Sequence, residues 1–235
     1  MAGAPARVTH RALDGRRFLL SGQIDLRLPF TSAADVTVRG RLHEFTAGSA
    51  RLGEEIARTL RVADFDEELS YQGGTLLIGR ARPYDLQTHL VEDLLVAVWR
   101  GRRYCLVTQM YRMSTADLLG VLRTLRIDEH DDGLMLHPNR SGGSDFTAPA
   151  TVVKEVPELG LLDLSPLTDQ HVRTLPTGQG MSIPAGELFR GRLSDGEPYF
   201  ILATVDTWIT VLPLAGTVAD RVPKLVGRLR VQTVG

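Results

Sequence analysis

One cysteine, two lysines, two tryptophans and no long apolar run bound what this 235-residue chain can be. The lone Cys105 excludes an intramolecular disulfide and a thiolate metal cluster. Its apolar, strand-like surroundings mark it as a small buried hydrophobe rather than a catalytic thiol. Of 27 basic residues only Lys154 and Lys224 are lysine, which leaves 25 arginines. Lysine-based chemistry therefore has two candidates.

No stretch approaches the ~18 consecutive apolar residues of a membrane-spanning helix, so no span is expected. Met1 to Arg17 carries basic residues without the apolar core of a signal peptide, and a cytoplasmic location is the expectation. A net charge of -1 gives no general electrostatic reason to expect nucleic acid or an anionic membrane as partner.

Signature motifs are missing as well. Ser141-Gly142-Gly143-Ser144 lacks the lysine and spacing of a phosphate loop, and GxGxxG, GxSxG and HExxH are absent. Asp128 to Asp132 is the densest run of oxygen ligands, yet it lacks the spaced acids of a calcium loop. Ser165, Asp169 and His171 make a triad by residue type only. Neither a metal nor a cofactor is expected.

What is present is architecture. Leu94 to Trp99 and Tyr104 to Tyr111 are rich in β-branched and aromatic residues and flank Gly101, the pattern of a hairpin. Ser114 and Asp117 approximate a capping box, with Met113 and Leu118 spaced as a hydrophobic staple. Leu118, Val121, Leu122 and Leu125 then recur at helical spacing. A helix capped by Ser49 is expected to run to Leu60, and Val36 to Phe45 reads as one strand. Asp195-Gly196 joins two strand patterns as a hairpin turn. A last helix begins at Arg221, with Pro223 in its first turn. Trp99 and Trp208 fall in apolar strand patterns and are expected in the core.

The fold class expected is α+β, mostly antiparallel sheet with a few packed helices. Its organisation reads as an N-terminal lobe over residues 1–138, a polar glycine-rich linker over 139–150 and a C-terminal lobe over 151–235. Three endings, Leu60-Arg61-Val62, Leu125-Arg126-Ile127 and Leu229-Arg230-Val231, follow helix patterns. Three triplets, Arg39-Gly40-Arg41, Arg100-Gly101-Arg102 and Arg190-Gly191-Arg192, lie in strand-like segments. They suggest three diverged strand–strand–helix units; convergence in an arginine-rich chain is the alternative.

Two polar clusters stand out. Arg100, Arg102 and Arg103, with Tyr104 beside them, occupy the expected hairpin tip and suit a carboxylate, a phosphate or an acidic partner surface. On a helix His89 and Glu92 or Asp93 would share a face and could bind a divalent metal or relay a proton. On a strand Glu92 would point away, and a cluster with no third partner reads more simply as a polar edge. The function expected is therefore a non-catalytic interaction, adaptor or assembly module that binds protein partners or itself. The alternative is a small-molecule-binding protein or enzyme with a pocket between the lobes, using His89, Glu92 or Asp93 and anchored by arginine. A third reading is a nucleic-acid-contacting protein using its Arg-Gly-Arg segments.

Overall fold

Short apolar runs broken by glycine, proline and aspartate form antiparallel strands along most of the chain, with four short helices among the described residues. The computed structural model describes residues 5–62, 64–85, 90–176, 178 and 180–234. It divides into two units: one holds Ala12–Gly15 and Thr31–Ala150, the other Met1–Arg11, Arg16–Phe30 and Thr151–Gly235. Among the described residues no helix is long and apolar enough to cross a membrane.

The chain opens with β1 (Ala6–Arg11) and β2 (Arg17–Gly22), an antiparallel pair in the second of these units. Phe18 and Leu20 alternate inward and are fully buried. Ala12–Gly15 belongs instead to the other unit. There Leu13 accepts from Leu136 N at 2.7 Å and donates to Ser32 Oγ at 3.0 Å, and Ala150 N donates to Asp14 Oδ2 at 2.9 Å.

In that unit the strands β3 (Phe30–Val38) and β4 (Arg41–Ser49) form a hairpin. The run 36–45, expected as one strand, turns at Arg39 and Gly40, with φ of 49° and 79°. Two consecutive left-handed residues match the right-handed twist of a two-residue hairpin. Helix α1 (Leu52–Thr59) follows, but Ser49 does not cap it: Ser49 ends β4, and the cap position falls to Arg51 without a side-chain bond.

The chain continues through β5 (Glu67–Tyr71), β6 (Gly74–Ala81), β7 (Tyr84–Asp85), β8 (Leu90–Val91), β9 (Leu94–Arg100) and β10 (Tyr104–Tyr111). These run into α2 (Thr115–Leu122), which has the expected Ser114–Asp117 capping box. Then come β11 (Leu125–His130), β12 (Gly133–Pro138) and β13 (Ser144–Phe146). The sheet order is β3-β4-β10-β9-β6-β5, with β13 paired to β3. The stretch 139–150 thus carries a paired strand and a 3-10 turn at Arg140–Gly142. Leu52, Ile56, Leu60, Val62 and Phe65 pack on Leu77, Val96, Val98, Cys105 and Val107. β9 is apolar at almost every position because both of its faces are buried.

The remaining strands of the other unit are β14 (Thr151–Val156), β15 (Gly160–Pro166), β16 (Met181–Ile183), β17 (Gly186–Arg192), β18 (Pro198–Ala203), β19 (Thr207–Leu212) and β20 (Leu229–Val234). Helix α3 (Asp169–Arg173) follows β15, and α4 (Val222–Val226) precedes β20. The sheet order is β14-β15-β19-β18-β17-β16, while β20 joins β2 and β1 in a three-stranded sheet. Each unit thus contains a run of six paired strands ordered first, second, sixth, fifth, fourth, third when β7, β8 and the short β13 on β3 are set aside. In each, a helix follows the second strand and another follows the sixth.

The six sequence landmarks do not occupy three equivalent places. Arg39-Gly40-Arg41 and Arg100-Gly101-Arg102 lie at hairpin turns, whereas Arg190-Gly191-Arg192 ends strand β17. Leu125 and Leu229 start strands directly after α2 and α4. Leu60-Arg61-Val62 leaves α1 through Arg61 at φ 57° and starts no strand.

Candidate functional site

The β5–β6 and β9–β10 turns border an open polar cleft of about 500 Å³, lined by Ser70 to Thr75 and by Arg100 to Arg102. Local sequence explains each wall. Gln72 and Gly73 adopt φ of 45° and 76°, another two-residue hairpin turn. Gly74 must lack a side chain, since a Cβ there would lie 2.4 Å from Arg100 O and 2.6 Å from the Trp99 ring. Trp99 occupies that space and donates from Nε1 to Tyr71 O at 2.7 Å.

Strand β11 locks both turns from behind. The Gln72 side-chain amide donates to Leu125 O at 2.7 Å and accepts from Ile127 N at 2.8 Å, pairing with β11 as a strand residue would. Glu129 on the same strand accepts from the backbone N–H groups of Arg102, Arg103 and Tyr104 at 2.8, 2.7 and 3.1 Å. Successive backbone N–H groups in a turn form an anion-binding concavity, and here Glu129 fills it. Gly101 permits that approach, because a Cβ would stand 2.7 Å from Glu129 Oε2. Burial pushes the Glu129 carboxyl up, but the three N–H donors and Arg102 outweigh it and hold the group below its ordinary value.

The four residues expected at the tip divide into two pairs. Arg100 and Arg102 line the cleft. Arg100 Nη2 is 3.5 Å from Glu54 Oε1, and the buried Arg100 Nε has no hydrogen-bond partner. Arg102 Nε stands 3.6 Å from Glu129 Oε2 on a side chain that is 85% exposed. Arg103 and Tyr104 engage Asp131 instead: Arg103 Nη1 meets Asp131 Oδ1 at 2.8 Å, and the Tyr104 hydroxyl donates to Asp131 O at 3.0 Å. Burial first, with Asp132 next, raises the Tyr104 phenol; burial also raises Tyr71. Both phenols remain protonated at neutral pH; Tyr104 donates, whereas the Tyr71 hydroxyl accepts from Gln72 Nε2 at 2.9 Å.

The other candidates are not assembled into a reactive group. His89 lies outside the described residues. Glu92 pairs with Arg112 Nη2 and Asp93 with Arg82 Nε, each at 2.8 Å, so each carboxylate has its own guanidinium. The acidic run is divided by strand β11: Asp128 meets His137 Nε2 at 2.7 Å and Arg126 at 3.0 Å, while Glu129 clamps the turn. Among the described residues no group of three or more metal-ligating side chains converges. His171 stacks on Trp208 with ring centroids 4.7 Å apart, and its buried Nδ1 has no hydrogen-bond partner. The Asp163 carboxyl is raised by burial, with His171 opposing that shift, and its buried Oδ1 also lacks a hydrogen-bond partner. Cys105 is fully buried, donates to Ser49 O at 3.2 Å and is raised by burial, which keeps it a neutral thiol.

Gln72 and Glu129 are the two residues that sequence reasoning missed. Gln72 stands beside the Gly73-Gly74 turn signal, but nothing local reveals that its amide pairs with a strand 53 residues away. Chemically the cleft offers guanidinium donors and a fixed backbone, with no nucleophile held against a base. Comparisons with protein-family models, curated proteins and solved structures return no match.

Proposed function

We propose that this protein is a non-catalytic binding module that grips a carboxylate-bearing, acidic segment of a protein partner in the cleft between the β5–β6 and β9–β10 turns. The observation that carries this reading is the double lock from β11. Glu129 and Gln72 hold the two turns, so the cleft is formed before any ligand arrives. A preformed site avoids the ordering cost of binding, which is about 0.5–1.5 kcal/mol per immobilised flexible side chain. Arg100 and Arg102 supply planar donors suited to paired carboxylate oxygens. The volume lies within the usual range for ligand clefts, roughly 300–1,000 Å³. The competing enzyme reading through His89, Glu92 and Asp93 has less support, because Glu92 and Asp93 are each engaged in an ion pair.

The test uses Trp99 as the reporter, since its buried indole packs against Gly74 and donates to Tyr71 O, two residues that line the cleft. In a Trp208→Phe background, acetylated tetraglutamate should change the emission saturably, with affinity falling as salt rises. Arg100→Ala with Arg102→Ala should weaken binding at least about tenfold. Equal binding of acetylated tetraglutamine, or no response to tetraglutamate, overturns the proposal.

We also infer that the two six-stranded sheets are diverged copies of one unit, so the repeat is twofold rather than threefold. The common strand order supports this, and so does register. Gly74 to Ala81 (GTLLIGRA) aligns with Gly186 to Leu193 (GELFRGRL), four of eight residues being identical. In this alignment Leu77 opposite Val98 matches Phe189 opposite Ile201. Gly74 meets Arg100 O where Gly186 meets Ala203 O, and these carbonyls end the equivalent strands β9 and β18. Glu129 and Thr233 are likewise equivalent in β11 and β20. Glu129 accepts from the β9–β10 turn, and Thr233 N donates at 3.2 Å to Asp206 in the β18–β19 turn.

A further inference from the structure

Beneath α4, the C-terminal sheet is incompletely covered. Residues 219–226 form a 3-10 turn followed by a five-residue helix with Pro223 in its first turn. So short an element sends only Val222 and Val226 fully into the core. Beside them remains a cavity of about 160 Å³, walled by Leu188, Phe189, Phe200 and Pro223, with Arg190 and Asp220 also lining it. That volume is close to the ~150 Å³ of an apolar cavity that accepts benzene, although this one opens to solvent beside Asp220.

Arg190 adds specificity. Its guanidinium carbon lies 5.7 Å from the Phe200 ring centroid, within cation–π range. Its Nη1 is 3.7 Å from Asp220 Oδ1, an attraction between charges that is too long for a hydrogen bond. The Asp220 side chain is 86% exposed, so water competes strongly for this pair. A guanidinium braced on an aromatic ring and weakly paired has donors to offer a planar anion.

We propose that this cavity is a binding site for a single-ring aromatic carboxylate. The ring enters between Phe200, Leu188 and Pro223, and the carboxylate takes the Arg190 donors in place of Asp220. The site is built on other strands than the acidic-segment cleft, takes a different ligand chemistry, and stands or falls independently of it.

Ligand-observed fluorine NMR with 4-fluorobenzoate tests the assignment. At low salt we expect saturable binding with Kd on the order of 1 mM, displaced by benzoate. Arg190→Gln should weaken binding about tenfold through loss of the charge-assisted pair. Asp220→Asn should tighten it by removing the competing carboxylate. Arg100→Ala with Arg102→Ala should leave it unchanged. Each variant is first checked for a wild-type thermal melt, since all four positions are wholly or partly on the surface. Absence of binding up to about ten times that Kd overturns the proposal. So does equal binding of neutral 4-fluorotoluene, an unchanged Kd in Arg190→Gln, or loss in the Arg100/Arg102 variant.

Discussion

Removing the Glu129 carboxylate should loosen the turn that forms one wall of the cleft. The group serves three backbone N–H donors at 2.7–3.1 Å, and its side chain is only 11% exposed. A hydrogen bond to a charged group contributes about 1.5–3 kcal/mol. The three share one acceptor and lie at a turn that water can reach, so their contributions will not add in full. We expect Glu129→Ala to cost about 2–4 kcal/mol and Glu129→Gln about 1–2 kcal/mol, because the amide presents one oxygen where two accepted. Urea unfolding followed by Trp99 emission in a Trp208→Phe background measures this within the unit that contains the turn. The pH dependence is specific. Glu129 is held below its ordinary value in the folded state, so its charge contributes stability that is complete above the unfolded-state value. That contribution is lost as pH falls through the lower, folded-state one. The stability gap between wild type and Glu129→Gln should therefore be widest near neutrality and shrink below about pH 4.5. A gap under about 0.5 kcal/mol, or one that stays constant with pH, refutes the clamp.

Gly74→Ala and Gly186→Ala should each cost at least 1–3 kcal/mol, as a Cβ would come within 2.4 Å and 2.1 Å of a backbone carbonyl and such overpacking costs roughly that much. Gly73→Ala meets no atom within 4 Å and should cost about 1–2 kcal/mol from its positive φ alone; chemical denaturation ranks the three. Ser114→Ala removes one half of the α2 capping box and should cost about 1 kcal/mol, seen as a lower melting temperature. Lys154 is buried and lowered to about 8 by desolvation, opposed by Asp25. Between pH 8 and 10.5 its unfolded form holds the proton that the folded form has lost, so wild-type stability should rise with pH relative to Lys154→Met. Parallel pH–stability curves for the two proteins would exclude this. Cys105, fully buried with its thiol raised, should react with a disulfide reagent only at the rate of unfolding.

Local signals in the sequence predicted the elements whose causes are local. The capping box at Ser114 and Asp117, the hairpin across Gly101 and the Asp195-Gly196 turn depend on neighbours a few residues away, and all are present. Trp99, Trp208 and Cys105 are buried as their apolar strand patterns imply. The failures share a different cause. Arg39-Gly40 was unreadable as a turn because arginine rarely takes a positive φ; the hairpin twist imposes it. Ser49 is a good cap by type, yet pairing of β4 with β10 extends the strand to that residue. In the candidate site, sequence reasoning singled out the arginines but missed Gln72 and Glu129. An acidic run is ordinarily solvated, and only the pairing of β11 with β12 turns Glu129 to the opposite face from Asp128 and His130.

If the two sheets are copies of one unit, their differences follow from how each last helix is closed. In the copy ending at β11, an eight-residue capped helix sends Leu118, Val121 and Leu122 into the core. In the copy ending at β20, a 3-10 turn and a five-residue helix take its place, and a cavity remains beside Arg190. The residue equivalent to Arg190 in the first copy is Ile78, only 1% exposed. An isoleucine there requires a complete apolar cover, whereas an arginine requires an opening through which its charge can reach water. Shortening the helix and placing a charge beneath it are therefore coupled changes, since either one alone would leave apolar surface wet or a guanidinium buried. Arg190→Ile should accordingly stabilise the C-terminal sheet only if α4 is lengthened with it. If the single substitution were as stabilising as the pair, the two changes would be independent.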